Sequence, residues 1–323
     1  MNSTELNGSD RPALAEWPTV ALLVAVYLGF AAVTAFADAM SPWLAVPLLA
    51  LLVTLHSSLQ HEVLHGHPFR HRGLSEAAVS PAVGLFIPYE RFRDTHLQHH
   101  RERFLTDPAE DPESNFVDPD RWDRMGPVAQ GLLRFNRTLA GHLLVGPAIS
   151  LAQLYRSDLR AMARSDRAVW RAWALHGLGL VPVVAWWHWA ATMPVWAYVA
   201  AAYGGISLLK VRTFLEHRAH AEGGGRSVII EGGGFWAFLF LNNNLHAVHH
   251  AHPAIAWYRL PTLYRDHERA FIERNRGYCY AGYGEIIRRY ILGAKDPVAH
   301  PLMPQSPLSS VSPAPQPPSG RMP

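Results

Sequence analysis

The stretch Arg93-Asp94-Thr95-His96-Leu97-Gln98-His99-His100-Arg101 sets three histidines at i, i+3 and i+4. On a helix those positions share one face, so all three imidazoles can point at one centre. Ordinary burial rarely selects this pattern, because each imidazole needs a hydrogen-bond partner once it leaves water. Metal ligation asks for it directly. The same spacing returns at His246-Ala247-Val248-His249-His250, and His61 and His65 form a further pair at i, i+4. A solvated histidine-rich surface is the alternative, and it does not account for two clusters of identical form. The eight histidines of these clusters therefore read as a metal site.

The remaining composition fits that reading to a membrane. Of 323 residues, 49% are hydrophobic and only 17% charged, a balance shifted towards membrane proteins. The net charge of +3 is too small to argue for nucleic acid. Lys210 and Lys295 are the only lysines, so the cations are nearly all arginine, as in cytoplasmic loops of membrane proteins. With Cys279 as the only cysteine, an intrachain disulfide, a CxxC pair and a zinc ribbon are excluded. Any metal must be held by nitrogen and oxygen.

The expected organisation is a polar N-terminal tail over 1–16, a membrane domain over 17–295 and a disordered Pro/Ser-rich tail over 296–323. Apolar runs at 17–37 and 43–60 predict two membrane helices, the second leading straight into His61. The region before the first run lacks the positive charge of a signal peptide. Residues 77–88 are apolar but too short to span, and read as interfacial or re-entrant. Residues 106–113 read as an irregular, proline-broken loop. Residues 138–155 read as a helix along the membrane surface, followed by arginines 156, 160, 164, 167 and 171 at near-helical spacing.

Runs at 172–189 and 193–211 predict a second membrane hairpin, with Trp186, Trp187, Trp189 and Trp196 at its turn. The fold class expected is therefore all-α and integral to the membrane. About four transmembrane helices form two hairpins, and a cytoplasmic helical cap holds the histidine clusters. The glycine runs 223–225 and 232–234 fit neither a dinucleotide fingerprint nor a P-loop, and read as turns around a short hairpin. His56, His67 and His71 are left out of the cluster, and His142, His176 and His188 read as structural residues in apolar segments.

His61-Glu-Val-Leu-His65, His96-Leu-Gln-His99-His100 and His246-Ala-Val-His249-His250 resemble the three histidine boxes of the membrane fatty acid desaturase superfamily, which also contains hydroxylases and carotenoid ketolases. The order of the boxes is similar too, as are the membrane hairpin between the second and third and the segment Pro253…Trp257-Tyr258-Arg259-Leu260-Pro261. The resemblance runs from about residue 17 to 290.

What it implies is a non-haem centre of two iron ions on the cytoplasmic side of a helical bundle; the membrane expected is a bacterial inner membrane. Its ligands by box correspondence are His61, His65, His96, His99, His100, His246, His249 and His250. The family adds a histidine between the second and third boxes. Here that is His217, with His220 as the rival, and Asn242 reads either as the orienter of a water ligand or as a structural amide. Glu62, Asp94 and Glu216 flank the ligands as acceptors for the outer imidazole N–H groups.

The implied reaction consumes dioxygen and most simply desaturates a fatty acyl chain or lipid. Hydroxylation or ketolation, with a carotenoid or a small amino-acid-like metabolite as substrate, stays open. The chain contains no cytochrome b5 segment, flavin fingerprint or cysteine cluster, so a separate electron donor, a ferredoxin, is expected on the arginine-rich face. A metal transporter would put ionisable residues within its spans. A b-type haem carrier would not use triplets at i, i+3, i+4.

Overall fold

The computed structural model describes residues 15–303. Of the expected N-terminal tail only Ala15 and Glu16 fall within that range, and residues 304–323 of the expected C-terminal tail lie outside it. Two helices open the chain, α1 (Trp17–Ala35) and α2 (Pro42–Leu64). Each carries proline in its first turn, where the missing N–H is not needed. Ser41 caps α2 by accepting the Trp43 N–H at 3.2 Å. Next come α3 (Arg72–Ala78) and α4 (Tyr89–Arg101), then the short α5 (Pro119–Asp123), α6 (Pro127–Phe135) and α7 (Leu139–Leu144). The longer α8 (Gly146–Ala163), α9 (Arg167–Trp189) and α10 (Val195–Thr213) follow. The last third holds β1 (Ile229–Ile230), α11 (Phe235–Leu239), α12 (His246–Ala251), α13 (Leu260–Arg274), β2 (Cys279–Tyr280) and α14 (Tyr283–Tyr290).

Three helices among the described residues, α1, α2 and α9, are long and apolar enough to cross a membrane. The fourth expected span is present as the 19-residue α10, but it carries Lys210 and Arg212 in its last turn and falls outside that set. The turns of the two hairpins meet: the Asp38 N–H donates to Thr192 Oγ1 at 3.1 Å, and Trp186 Nε1 donates to Thr34 Oγ1 at 2.9 Å. Both hairpins therefore turn at one end of the bundle, and α2 delivers His61 at the other. Small residues let α2 and α10 approach closely. A Cβ on Gly205 would come within 2.7 Å of Val53 Cγ1, and Thr54 Oγ1 donates to the Gly205 carbonyl at 3.2 Å.

Residues 79–88 form no regular element, and Val79 and Val83 are buried. Irregular backbone among apolar helices needs its carbonyls satisfied from within the protein. Tyr27 Oη donates to the Ala78 carbonyl at 2.8 Å, Tyr198 Oη to Val83 at 2.8 Å, and His176 Nε2 to Leu85 at 2.8 Å. His176 thus has the structural role read from the sequence.

Three local expectations change. Residues 138–155 split between α7 and α8, which break at Val145. The five arginines do not share one helix, because Ser165 turns at φ 61° and Asp166 caps a new helix, accepting from Ala168 N and Val169 N. Ile229-Ile230 is not half of a local hairpin: it pairs in parallel with Cys279-Tyr280, some fifty residues on. Packing also continues past residue 295, through a bridge between Val117 and Ala299.

Candidate metal centre

Nine histidines converge in two groups, each with ligand nitrogens within 4.8 Å of one another. His61, His65, His96, His100 and His249 make one group; His99, His217, His246 and His250 make the other. The i, i+3, i+4 spacing splits each box between them. On α4 the His96/His100 pair serves the first group and His99 the second, while on α12 the His246/His250 pair serves the second and His249 the first. The two helices are thus crossed through both groups. The end of α2 adds His61 and His65 to the first. His217, beyond the end of α10, adds to the second. His100 and His250 stack at 4.1 Å between centroids where the groups adjoin.

The Nε2 atoms face inward. His99 and His217 lie 2.9 Å apart, His217 and His246 3.0 Å, His246 and His250 3.1 Å, His96 and His100 3.0 Å, and His100 and His249 3.2 Å. Two nitrogens bound at about 2.1 Å to one ion, at 90–109° to each other, would lie about 3.0–3.4 Å apart. Buried Nε2 atoms of His61 and His65 have no hydrogen-bond partner. The residues present therefore fit a pair of metal ions with an all-imidazole shell.

The outer nitrogens explain why the inner ones are free to bind. His99 Nδ1–H donates to Asp111 Oδ1 at 2.8 Å, and His96 Nδ1–H to Glu113 at 3.0 and 3.2 Å. His246 Nδ1–H donates to Asn243 Oδ1 at 2.9 Å, and His217 Nδ1 lies 3.3 Å from Ser227 Oγ. A neutral ring with its proton on Nδ1 presents a lone pair at Nε2. Where two such neutral rings meet, the facing lone pairs call for a cation between them; in the metal-free protein His99 instead carries a second proton at Nε2, towards His217.

Burial, reinforced by neighbouring imidazoles, holds His246, His249 and His250 well below the ordinary histidine value. Burial and then His96 bring His100 down to about 3. His99 differs. Burial would lower it too, but the Glu113 charge and the Asp111 hydrogen bond outweigh burial and push it up to about 9. For Glu113, burial alone would raise the carboxyl, and the facing His96 and His99 instead hold it well below the usual range.

Of the three carboxylates expected around the ligands, Glu62 and Glu216 lie beside outer imidazole nitrogens, beyond hydrogen-bond length, and Asp94 does not. Glu62 accepts the Trp257 N–H at 3.0 Å and lies 3.8 Å from His61 Nδ1. Glu216 pairs with Arg212 at 2.8 Å and is 3.8 Å from His246 Nδ1. Asp94 turns away to Arg93 at 2.8 Å. His220 is in neither group: its Nδ1 meets the backbone of Glu222. Asn242 Nδ2 donates to the Trp257 carbonyl at 3.0 Å. Asp111, Glu113 and Asn243 were not singled out in the sequence. The signal available was the run of acidic residues after the second box.

A cavity of about 390 Å³ lies between α2, α9, α10 and the irregular segment. Its lining runs along α2 through Val53, Ser57 and Gln60 to the turn carrying His61, and includes Tyr89, two turns before His96 on α4. Leu85, Ile87, Leu175, Leu178, Pro182 and Ile206 make most of its wall apolar, with Glu76, Glu90 and Arg171 at one end.

The family described as fatty acid desaturase matches residues 37–282. That covers most of the chain, including α2, α4, α12 and all nine clustered histidines, and the chain belongs to the fatty acid desaturase family. A comparison with curated proteins gives no match. Family membership brings oxidoreductase chemistry of the desaturase type, and with the three apolar helices it makes this a membrane protein. It also implies a lipid or acyl substrate and oxygen.

Proposed function

We propose that this chain is a dioxygen-dependent desaturase that introduces a C=C bond into a fatty acyl chain or lipid, using two non-haem iron ions. The observation that carries the proposal is the convergence of nine imidazoles into adjoining groups of five and four. His61, His65, His96, His100 and His249 would hold one ion, and His99, His217, His246 and His250 the other. When bound, such an iron pair supplies the oxidising power needed to take hydrogen from an unactivated C–H bond.

The chain's own residues do the rest. Asp111, Glu113 and Asn243 keep the Nδ1 protons in place and so aim the Nε2 lone pairs. The apolar cavity takes the acyl chain and brings it along α2 towards His61, away from bulk water. Arg101 and Arg103, both exposed beside the second box, offer a basic surface to an acidic ferredoxin. α10 is the fourth span, its Lys210 and Arg212 lying at the same end as the histidines. The arginine bias supports reading that end as the cytoplasmic one, in what we take to be a bacterial inner membrane.

The test compares lipid extracts, by mass spectrometry under ¹⁸O₂, from cells making the intact chain or a His99→Ala/His100→Ala variant, each with a ferredoxin supply. A species lighter by two hydrogens, unlabelled and absent from the variant, is the expected result. Incorporation of ¹⁸O would replace desaturation by hydroxylation or ketolation. Matching extracts, together with purified protein that holds no iron, would overturn the proposal.

A further inference from the structure

The family match ends at residue 282, yet the chain returns to the histidine site after that point. Lys295 Nζ donates to the His217 carbonyl at 2.5 Å and pairs with Asp296 at 3.1 Å, while its backbone N–H donates to the Arg137 carbonyl at 3.0 Å. The next residues lie alongside Val117: the Val117 N–H donates to the Val298 carbonyl at 2.9 Å, and the His300 N–H to the Val117 carbonyl at 3.0 Å. His300 Nε2 meets Thr106 Oγ1 at 3.1 Å, and its ring packs edge-on against Phe116 at 5.0 Å.

Both anchors fall where the site has least support of its own. Eight of the nine clustered histidines ride on or cap α2, α4 and α12, whose backbones are fixed by helical hydrogen bonds. His217 has no helix. It lies past the end of α10, paired through an isolated bridge with Ser227. A carbonyl there needs a partner, and Lys295 provides one.

The loop carrying Asp111 and Glu113 is likewise irregular. It is closed on itself by Thr106 N–H to Asp111 Oδ2 at 2.8 Å and Ser114 Oγ to the Thr106 carbonyl at 2.6 Å. His300 grips that same Thr106.

We propose that residues 295–300 are a positioning strap for the metal centre, with Lys295 holding His217 and His300 holding the loop that bears Asp111 and Glu113. The inference rests on the metal reading above. A strap that merely covered apolar surface would change global stability and treat the two histidine groups alike. A positioning strap acts unequally, because Lys295 reaches only the group that contains His217.

The test uses the full chain in detergent, stripped of metal and titrated with Co²⁺, with hydrogen–deuterium exchange measured in parallel. Lys295→Met is expected to weaken one of two Co²⁺ sites by about tenfold, the order of one lost hydrogen bond to a charged group, and to leave the other unchanged. Lys295→Arg, which keeps a donor, should recover most of the loss. His300→Ala should speed exchange over residues 104–118 while α1 and α2 exchange as before. Equal weakening of both Co²⁺ sites, no weakening of either, or unchanged exchange over 104–118 would overturn the strap. A wild-type chain that takes up no Co²⁺ would sink the metal reading instead, and the exchange result would still decide whether the strap exists.

Discussion

Replacing Asp111 by asparagine should disable one metal position and spare the other. The carboxylate is buried and accepts three hydrogen bonds, from His99 Nδ1 at 2.8 Å, Thr106 N at 2.8 Å and Glu113 N at 2.9 Å. Asparagine keeps one acceptor oxygen but turns an NH₂ towards at least one of these donors. A buried group left unsatisfied costs about 1–3 kcal/mol. If that cost falls on the His99 orientation, metal affinity drops by about 10–100-fold, or about 1.4–2.8 kcal/mol.

His99 belongs to the four-histidine group, so only that position should weaken; Glu113→Gln, acting through His96, should weaken the five-histidine position instead. The pH profile gives an independent reading. In the metal-free protein His99 is raised to about 9, so at neutral pH a metal ion must displace its proton. The same raised value stabilises the metal-free fold below about 6.5, an advantage lost as pH climbs through about 9.

Affinity of the four-histidine position should therefore climb towards pH 9, whereas the five-histidine position, with His100 at about 3, should show no such slope from that ring. Chelator-competition titrations of wild type and Asp111→Asn between pH 6 and 9, with proton release followed by an indicator dye, measure all of this. Equal loss at both positions in Asp111→Asn, or a slope that survives the substitution unchanged, would refute the reasoning.

Three further outcomes follow from the fold. Gly205→Val would drive side-chain atoms into Val53, whose Cγ1 is already 2.7 Å from an added Cβ, and should lower stability by about 1–3 kcal/mol in thermal unfolding. A thermally unaltered variant would show that α2 and α10 do not pack as described. Tyr198→Phe leaves the buried Val83 carbonyl without its donor, for about 1–3 kcal/mol, while Tyr203→Phe, whose hydroxyl bond is exposed, should cost much less. In a Cys279→Ser background, Ala191→Cys in the α9–α10 turn should react with an impermeant thiol reagent on intact cells, and Arg164→Cys only after permeabilisation. The reverse pattern would invert the topology.

Sequence alone carried the local geometry. Spacing at i, i+3 and i+4 is set by the pitch of a helix, so His96, His99 and His100 announce a convergent face without any knowledge of neighbours. Apolar length announced α1, α2 and α9 for the same reason, and a run too short to span set residues 77–88 apart as interfacial or re-entrant, though not that 79–88 would be irregular. What needed the tertiary structure were pairings between distant stretches. The division of each box between two groups depends on how α4 crosses α12. The acceptors behind the ligands turned out to be Asp111, Glu113 and Asn243, and Asp94, two residues before the second box, faces Arg93. A carboxylate's reach is decided by the fold of its loop, and that loop is tied down by Thr106 and by His300 from the far end of the chain. Helical periodicity is written in one turn of sequence; which side chain meets which imidazole is written only in the packing of segments brought together by burial.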